Sequence, residues 1–235
     1  MSTLFADVAA LRASVARFQE SVSALPDAAL SEPSLLPGWS RGHVLTHVAR
    51  SADSRRRLLE AARHGEVGRQ YADEEHRARE IEEGARRLPG QIRRDAVESL
   101  DRLLTVVTEQ PADRWDTPGV WLGVGPRPVR RVVPSMRREV EYHHVDLAAE
   151  YGPDDWPADF VEAQLDRVTA SFGERADAGA FTVRLPGRDL RVGDGGDLVV
   201  AGEPAPMLAW LTGRGDGSGL RTSPPGPLPA LPPLS

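Results

Sequence analysis

The stretch LFADVAALRASVARFQESVSAL, residues 4–25, decides what kind of fold this chain adopts. Leu4, Val8, Leu11, Val15, Phe18, Val22 and Leu25 recur at alternating spacings of four and three, which lines one face of a helix with apolar groups. Pro26 and Asp27 end the run. A helix with one apolar stripe must bury it against other elements, and the next 125 or so residues supply them. The turn Pro37–Gly38 and the N-cap Ser40 open a second helix, predicted from about Arg41 to Arg63, with Val44, Val48, Leu58 and Leu59 buried. A third runs over roughly 91–109 through Ile92, Ala96, Leu100, Leu103, Leu104 and Val107, and stops at Pro111. The Gly- and Pro-rich TPGVWLGVGPRPVRRVVP, residues 117–134, reads as a loop. A fourth helix starts near Pro134, a favourable first-turn position, and continues to about Glu150. Four long amphipathic helices with long connections read as a four-helix bundle.

The pattern changes at the turn-rich YGPDDWP, residues 151–157. A helix follows with Val161, Leu165, Val168 and Phe172 on one face. Next come the short alternating runs FTVRL, DLRVG and DLVVAG, separated by Gly and Asp, which read as small antiparallel strands. EPAPMLAWLTGR reads as a short helix, and SPPGPLPALPPLS as a Pro-rich tail. The expected architecture is therefore α+β overall, with a helical bundle over residues 1–154 and a small α+β domain over 155–235.

Composition narrows the chemistry. The 235 residues include no cysteine, which excludes disulfides, thiolate nucleophiles and cysteine-type zinc sites. Any metal must sit on His, Asp or Glu, and any thiol chemistry must use a thiol brought from outside. Lysine is absent too, so no Schiff base can form. The net charge of −6 argues against a nucleic-acid surface. In DEEHRAREIEEGARR, residues 73–87, arginines alternate with acids as on a solvated helix face. No apolar run approaches the roughly 20 residues that span a bilayer. The first residues lack a basic leader with a cleavage site, so a cytoplasmic protein is expected.

The segment RREVEYHHVDL, residues 137–147, concentrates two histidines, two glutamates and an aspartate on the fourth helix. Glu139 and His143 stand four apart and project from one helix face, as do His43 and His47 on the second helix. Two ligands from one helix and one from its neighbour would make a three-ligand metal site with a fourth position open, the arrangement of catalytic zinc. Spacing alone leaves rivals standing. His43, at the start of its helix, can contact the first turn or solvent, and His47, between Val44 and Val48, can be a core histidine satisfied by a hydrogen bond. His144 and Glu141 point away from the Glu139–His143 face, toward solvent or a neighbouring helix. His64 and His76 lie in charged stretches without a signal.

LPGWSRGHVLTHVARSADS (36–54), REVEYHHVDLAAEYGPDDWP (138–157) and MLAWLTGR (207–214) together resemble the mycothiol-dependent maleylpyruvate isomerase family of the DinB-like bundle superfamily. The resemblance covers nearly the whole chain. It implies a zinc ion on His47, Glu139 and His143, and a functional arginine at Arg214. It also implies mycothiol as the thiol cofactor and maleylpyruvate as the small-molecule substrate, isomerised to fumarylpyruvate in the gentisate route of aromatic degradation. Asp146, three residues beyond His143, can be a partner that supports a metal ligand or part of a helix-end ion pair, and the structural helix-end role is the expected one. Two alternatives remain: another mycothiol-dependent S-transferase on the same scaffold, or a non-catalytic metal-binding or regulatory module.

Overall fold

The computed structural model describes residues 4–233, which divide into two compact units, one reaching to Glu150 and one starting at Tyr151. In the first unit the heptad-like stripe forms α1 (Leu4–Ala24), burying Leu11, Val15, Phe18 and Val22. α2 (Arg41–Arg63) begins at Ser40, whose side chain accepts from the His43 backbone N–H. His43 returns the favour: its Nδ1 accepts from the Ser40 N–H at 3.2 Å, closing a capping box. α4 (Pro89–Glu109) starts with proline in its first turn and buries Ile92, Ala96, Leu100, Leu103 and Val107. α2 packs against α4 and against α5 (Val132–Asp146), and α1 packs against α5 and α4. Among the described residues no helix is long and apolar enough to cross a membrane.

Three features of this unit depart from the sequence reading. The acidic–basic run 73–87 contributes a fifth helix, α3 (Glu74–Ala85), capped by Asp73, whose Oδ1 accepts from the His76 N–H at 2.7 Å. Most of it is exposed, as expected of a solvated face, but Ile81 and Gly84 are buried against the bundle. A Cβ built on Gly84 would lie 2.4 Å from Thr46 Cγ2, so glycine is what lets α3 come this close to α2. The expected loop 117–134 instead contains a hairpin of β1 (Pro118–Trp121) and β2 (Gly125–Pro128). Its strands are held less by their own propensity, with prolines at Pro118, Pro126 and Pro128, than by outside partners. Val120 exchanges backbone bonds with Gly68 and Gln70, and the Gln70 side chain accepts from the Leu122 N–H. Finally, α5 starts at Val132 and ends at Asp146 rather than near Glu150. Ala148 takes a left-handed φ of 51°, and Arg41 supplies the donors that the final carbonyls need: Nε to Leu147 O (2.6 Å) and Nη2 to Ala148 O (2.8 Å).

In the second unit α6 (Ala158–Gly173) packs against α7 (Pro204–Leu211) and against a four-stranded sheet. The strands are β3 (Phe181–Leu185), β4 (Arg188–Val192), β5 (Val199–Ala201) and β6 (Arg221–Ser223), in the order β4-β3-β5-β6. The expected strands form, but not all antiparallel: β3 pairs with β5 in parallel, Val183 opposite Val200, because β5 joins the edge of β3 that β4 leaves free. β6, at the start of the Pro-rich tail, was not expected as a strand and pairs antiparallel with β5. Phe181, Val183, Leu185, Val192 and Val200 bury the inner face, and the Phe181 and Trp210 rings meet at 5.9 Å.

Candidate metal centre

Two rows of side chains spaced by four face each other between α2 and α5. His47, Ser51 and Arg55 form one row, and Ser135, Glu139 and His143 form the other, each lying along one helix face. The helices run antiparallel here, so His47 meets His143, Ser51 meets Glu139 and Arg55 meets Ser135. The His47 and His143 rings stand edge-on at 4.5 Å. Ser51 Oγ donates to Glu139 Oε2 at 3.2 Å, and Arg55 Nη2 donates to Ser135 Oγ at 2.8 Å.

His47, Glu139 and His143 thereby converge, each offering one ligand atom, all within 4.8 Å of one another; among the described residues no other such group of three His, Asp or Glu forms. Glu139 Oε2 lies between the two rings, 3.0 Å from His47 Nε2 and 3.6 Å from His143 Nε2. Tetrahedral zinc with bonds of about 2.0–2.1 Å separates its ligand atoms by about 3.3 Å, so these spacings fit a divalent ion with small adjustments. The donor set, two imidazoles and one carboxylate, is one that zinc accepts with a coordination position left over.

The electrostatics of the three groups differ. Burial pushes the His47 imidazole down to about 4, with the neighbouring His143 pushing the same way, against hydrogen bonding to Glu139. His47 is thus neutral at neutral pH. Arg77 Nη2, from α3, lies 3.3 Å from its Nδ1 and donates there, which leaves the proton on Nε2 for the contact with Glu139. Burial alone would raise Glu139, but the Arg55 guanidinium and hydrogen bonds from both histidines hold it well below the usual carboxylate range. For His143 burial pushes down, yet hydrogen bonds to Asp146 and Glu139 outweigh it and raise the imidazole above its ordinary value.

Asp146 corrects the helix-end reading. It is buried, and its Oδ2 sits 2.9 Å from His143 Nδ1, an acceptor that orients the ring and presents Nε2 to the centre. His144 and Glu141 turn to the opposite side of α5, as the helical wheel requires, but meet α1 rather than solvent. His144 Nε2 lies 2.8 Å from Ser21 Oγ and its ring stands edge-on to Phe18, while Glu141 accepts from Ser14 and from Arg17 (2.8 Å). His43 caps its helix and stacks on Trp39, and is not drawn into the cluster. Arg214 follows α7 in the second unit; it is half-buried, and its Nη1 donates to Thr212 O at 3.1 Å.

Sequence reasoning passed over Ser51, Arg55, Ser135, Trp39 and Arg77. The first three carried a signal, since they extend the same four-residue spacing that singled out Glu139 and His143. Trp39, whose ring lies 5.5 Å from that of His47, and Arg77 reach the centre from a loop and from α3, which no local spacing reveals.

Fold and site together define a helical-bundle protein with a three-ligand His–Glu–His cluster, followed by an α+β unit. Residues 11–148 match the family described as the mycothiol maleylpyruvate isomerase N-terminal domain, and residues 155–233 match the C-terminal domain of the same enzymes. The chain belongs to the mycothiol-dependent maleylpyruvate isomerase family, within the DinB-like superfamily. It is similar to the crystal structure of a mycothiol-dependent maleylpyruvate isomerase, with 27% identity, a TM-score of 0.91, and coverage of 99% of this chain and 98% of that one. A histidine-to-alanine mutant of a mycothiol-dependent maleylpyruvate isomerase is similar at 26% identity and a TM-score of 0.90, with the same coverage. No curated protein sequence matches the chain.

Proposed function

We infer that this chain is a zinc- and mycothiol-dependent cis–trans isomerase that converts maleylpyruvate to fumarylpyruvate. The observation that carries the reading is the convergence of His47, Glu139 and His143 in a family member without cysteine, where an ionised sulfur must come from a bound thiol. Bound together, zinc and mycothiol supply an activated thiolate whose reversible addition to a conjugated double bond permits rotation about it.

The chain's own residues prepare that chemistry. His47 is held neutral by burial; offering Nε2 to a metal would move its proton to Nδ1, where the Arg77 donor would have to give way. Glu139 is held ionised, chiefly against burial by Arg55, and brings the negative charge that a divalent ion requires. Asp146 keeps the His143 ring oriented and accepts from its Nδ1–H. Arg214 is assigned to a substrate carboxylate or to the enolate oxygen that gains charge during addition, a role a planar guanidinium suits better than an ammonium. Use of a reduced low-molecular-weight thiol supports a cytoplasmic location.

The test is direct. Zinc-loaded protein with mycothiol should isomerise maleylpyruvate, and omission of either should abolish turnover. Turnover of the thiol onto an electrophile without isomerisation would show an S-transferase instead, and absence of bound metal would remove the catalytic reading.

A further inference from the structure

Arg55 is a buried charge to which the reading above gives no task beyond neutralising Glu139. Its side chain is 5% exposed, and its contacts with Ser51, Ser135 and Glu139 lie along the two facing rows. Nε and Nη2 donate to Ser135 Oγ at 3.2 and 2.8 Å, Nη1 donates to Ser51 O at 3.1 Å, and Nη2 donates to Glu139 Oε1 at 3.0 Å. The two oxygens of Glu139 are thereby divided. Oε1 belongs to Arg55, whereas Oε2 faces His47 Nε2, His143 Nε2 and Ser51 Oγ.

We propose that Arg55 is a positioning residue that holds Glu139 as a one-oxygen metal ligand, so that the centre keeps a coordination position open for a thiol sulfur. The inference rests on the metal-centre reading above. A glutamate carboxylate turns easily about its last torsion and can offer a metal one oxygen or two. With two, the three residues alone would supply four donors, so with a bound water the ion would be five-coordinate and an arriving sulfur would have to displace an oxygen. A charge-assisted bond to Oε1 opposes that rotation. It does so only if the guanidinium cannot follow, and the remaining three bonds, to Ser135 Oγ and Ser51 O, fix it to both helices. Fork geometry matters as much as charge here. An ammonium at the same place would neutralise Glu139 but could not hold Ser135, Ser51 and Oε1 together. A purely charge-balancing role for Arg55 predicts that lysine suffices, and the two roles separate on that point.

The experiment uses the full chain loaded with cobalt(II) in place of zinc, because cobalt's visible bands report coordination number. Arg55→Met, Arg55→Lys and Ser135→Ala are compared with the parent, with folding checked by circular dichroism. The parent should show the intense bands of a four-coordinate ion, and added mycothiol should raise a sulfur-to-cobalt charge-transfer band. Arg55→Met should still bind cobalt, with visible intensity reduced by about half or more. Its mycothiol affinity, titrated through the charge-transfer band, should fall about tenfold or more, as loss of an outer partner of a metal ligand commonly does. Arg55→Lys and Ser135→Ala should shift both readouts in the same direction by smaller amounts, and they carry the test if the methionine variant does not fold. Parent-like spectra and parent-like mycothiol affinity in Arg55→Lys and Ser135→Ala would overturn the proposal. Failure of the parent itself to bind cobalt would instead overturn the metal centre, and this inference with it.

Discussion

Replacing Glu139 with alanine in metal-free protein removes the carboxylate that pairs with a buried guanidinium, and the structure sets the size of the effect. Arg55 is buried and pairs with Glu139 at 3.0 Å. Breaking a fully buried pair by removing one partner costs about 3–5 kcal/mol, because the survivor keeps its desolvation penalty without compensation. Two features reduce that figure here. The Glu139 side chain is 18% exposed, and Arg55 keeps its bonds to Ser135 and to Ser51 O. A loss of about 2–3 kcal/mol remains, or about 5–10 °C in melting temperature for a unit of this size. Chelator-treated parent and Glu139→Ala proteins should differ by that amount in thermal melts followed by circular dichroism at neutral pH. The gap also has a predicted pH dependence. Arg55 and the two histidines depress Glu139 in the folded state, against burial, so its contribution is fully present above the unfolded carboxylate value. It is lost as pH falls through the lower folded value, so the gap should close only in strong acid. Melting curves that coincide at neutral pH would refute the claim that Arg55 depends on Glu139.

Other expectations follow from the same geometry. His143→Ala should lose the metal while His144→Ala keeps it, since His144 faces Ser21 and Phe18 on α1; metal analysis giving the reverse would mean the ligand register is off by one. Zinc binding at about pH 6 should release a proton from His143, which Asp146 and Glu139 raise above its ordinary value against burial, and none from His47, already neutral there; calorimetry in buffers of different ionisation heat checks this, and a buffer-independent heat contradicts it. Gly84→Ala should destabilise the protein by about 1–2 kcal/mol despite the better helix propensity of alanine, because the new methyl meets Thr46; a stabilised variant would show that α3 does not pack tightly there. Arg214→Ala should retain zinc and fold yet lose isomerase activity on the order of 10²–10³-fold, with Arg214→Lys recovering part of it; near-normal turnover would return Arg214 to a helix-end role.

Much of the bundle was legible because its helices carry their own periodicity. α1 announces itself through seven apolar positions on one face, and α2 through a serine cap that the structure retains. What was illegible depended on partners distant in sequence. The β1–β2 hairpin, with three prolines in or ending its strands, exists because Gly68 and Gln70 receive it. α5 ends early because Arg41, over a hundred residues away, caps its carbonyls. The parallel β3–β5 pairing follows from which sheet edge remains free, and alternation along a strand cannot encode that. At the site, Glu139 and His143 were legible by spacing on one helix. His47 needed the family resemblance to separate it from a core histidine. Arg55 was within reach of the same four-residue rule but read as one of many arginines, and Arg77 was not.

We propose that His47, Glu139 and His143 hold a metal that makes a bound thiol reactive toward maleylpyruvate. The most direct measurement is isomerisation of maleylpyruvate by purified protein, followed alongside zinc content, with mycothiol present or omitted and with zinc removed by chelator and then restored. The protein should carry about one zinc per chain, turn over only with both zinc and mycothiol present, and recover when zinc returns. Isomerisation that persists in chelated protein, or that proceeds without mycothiol, would contradict it.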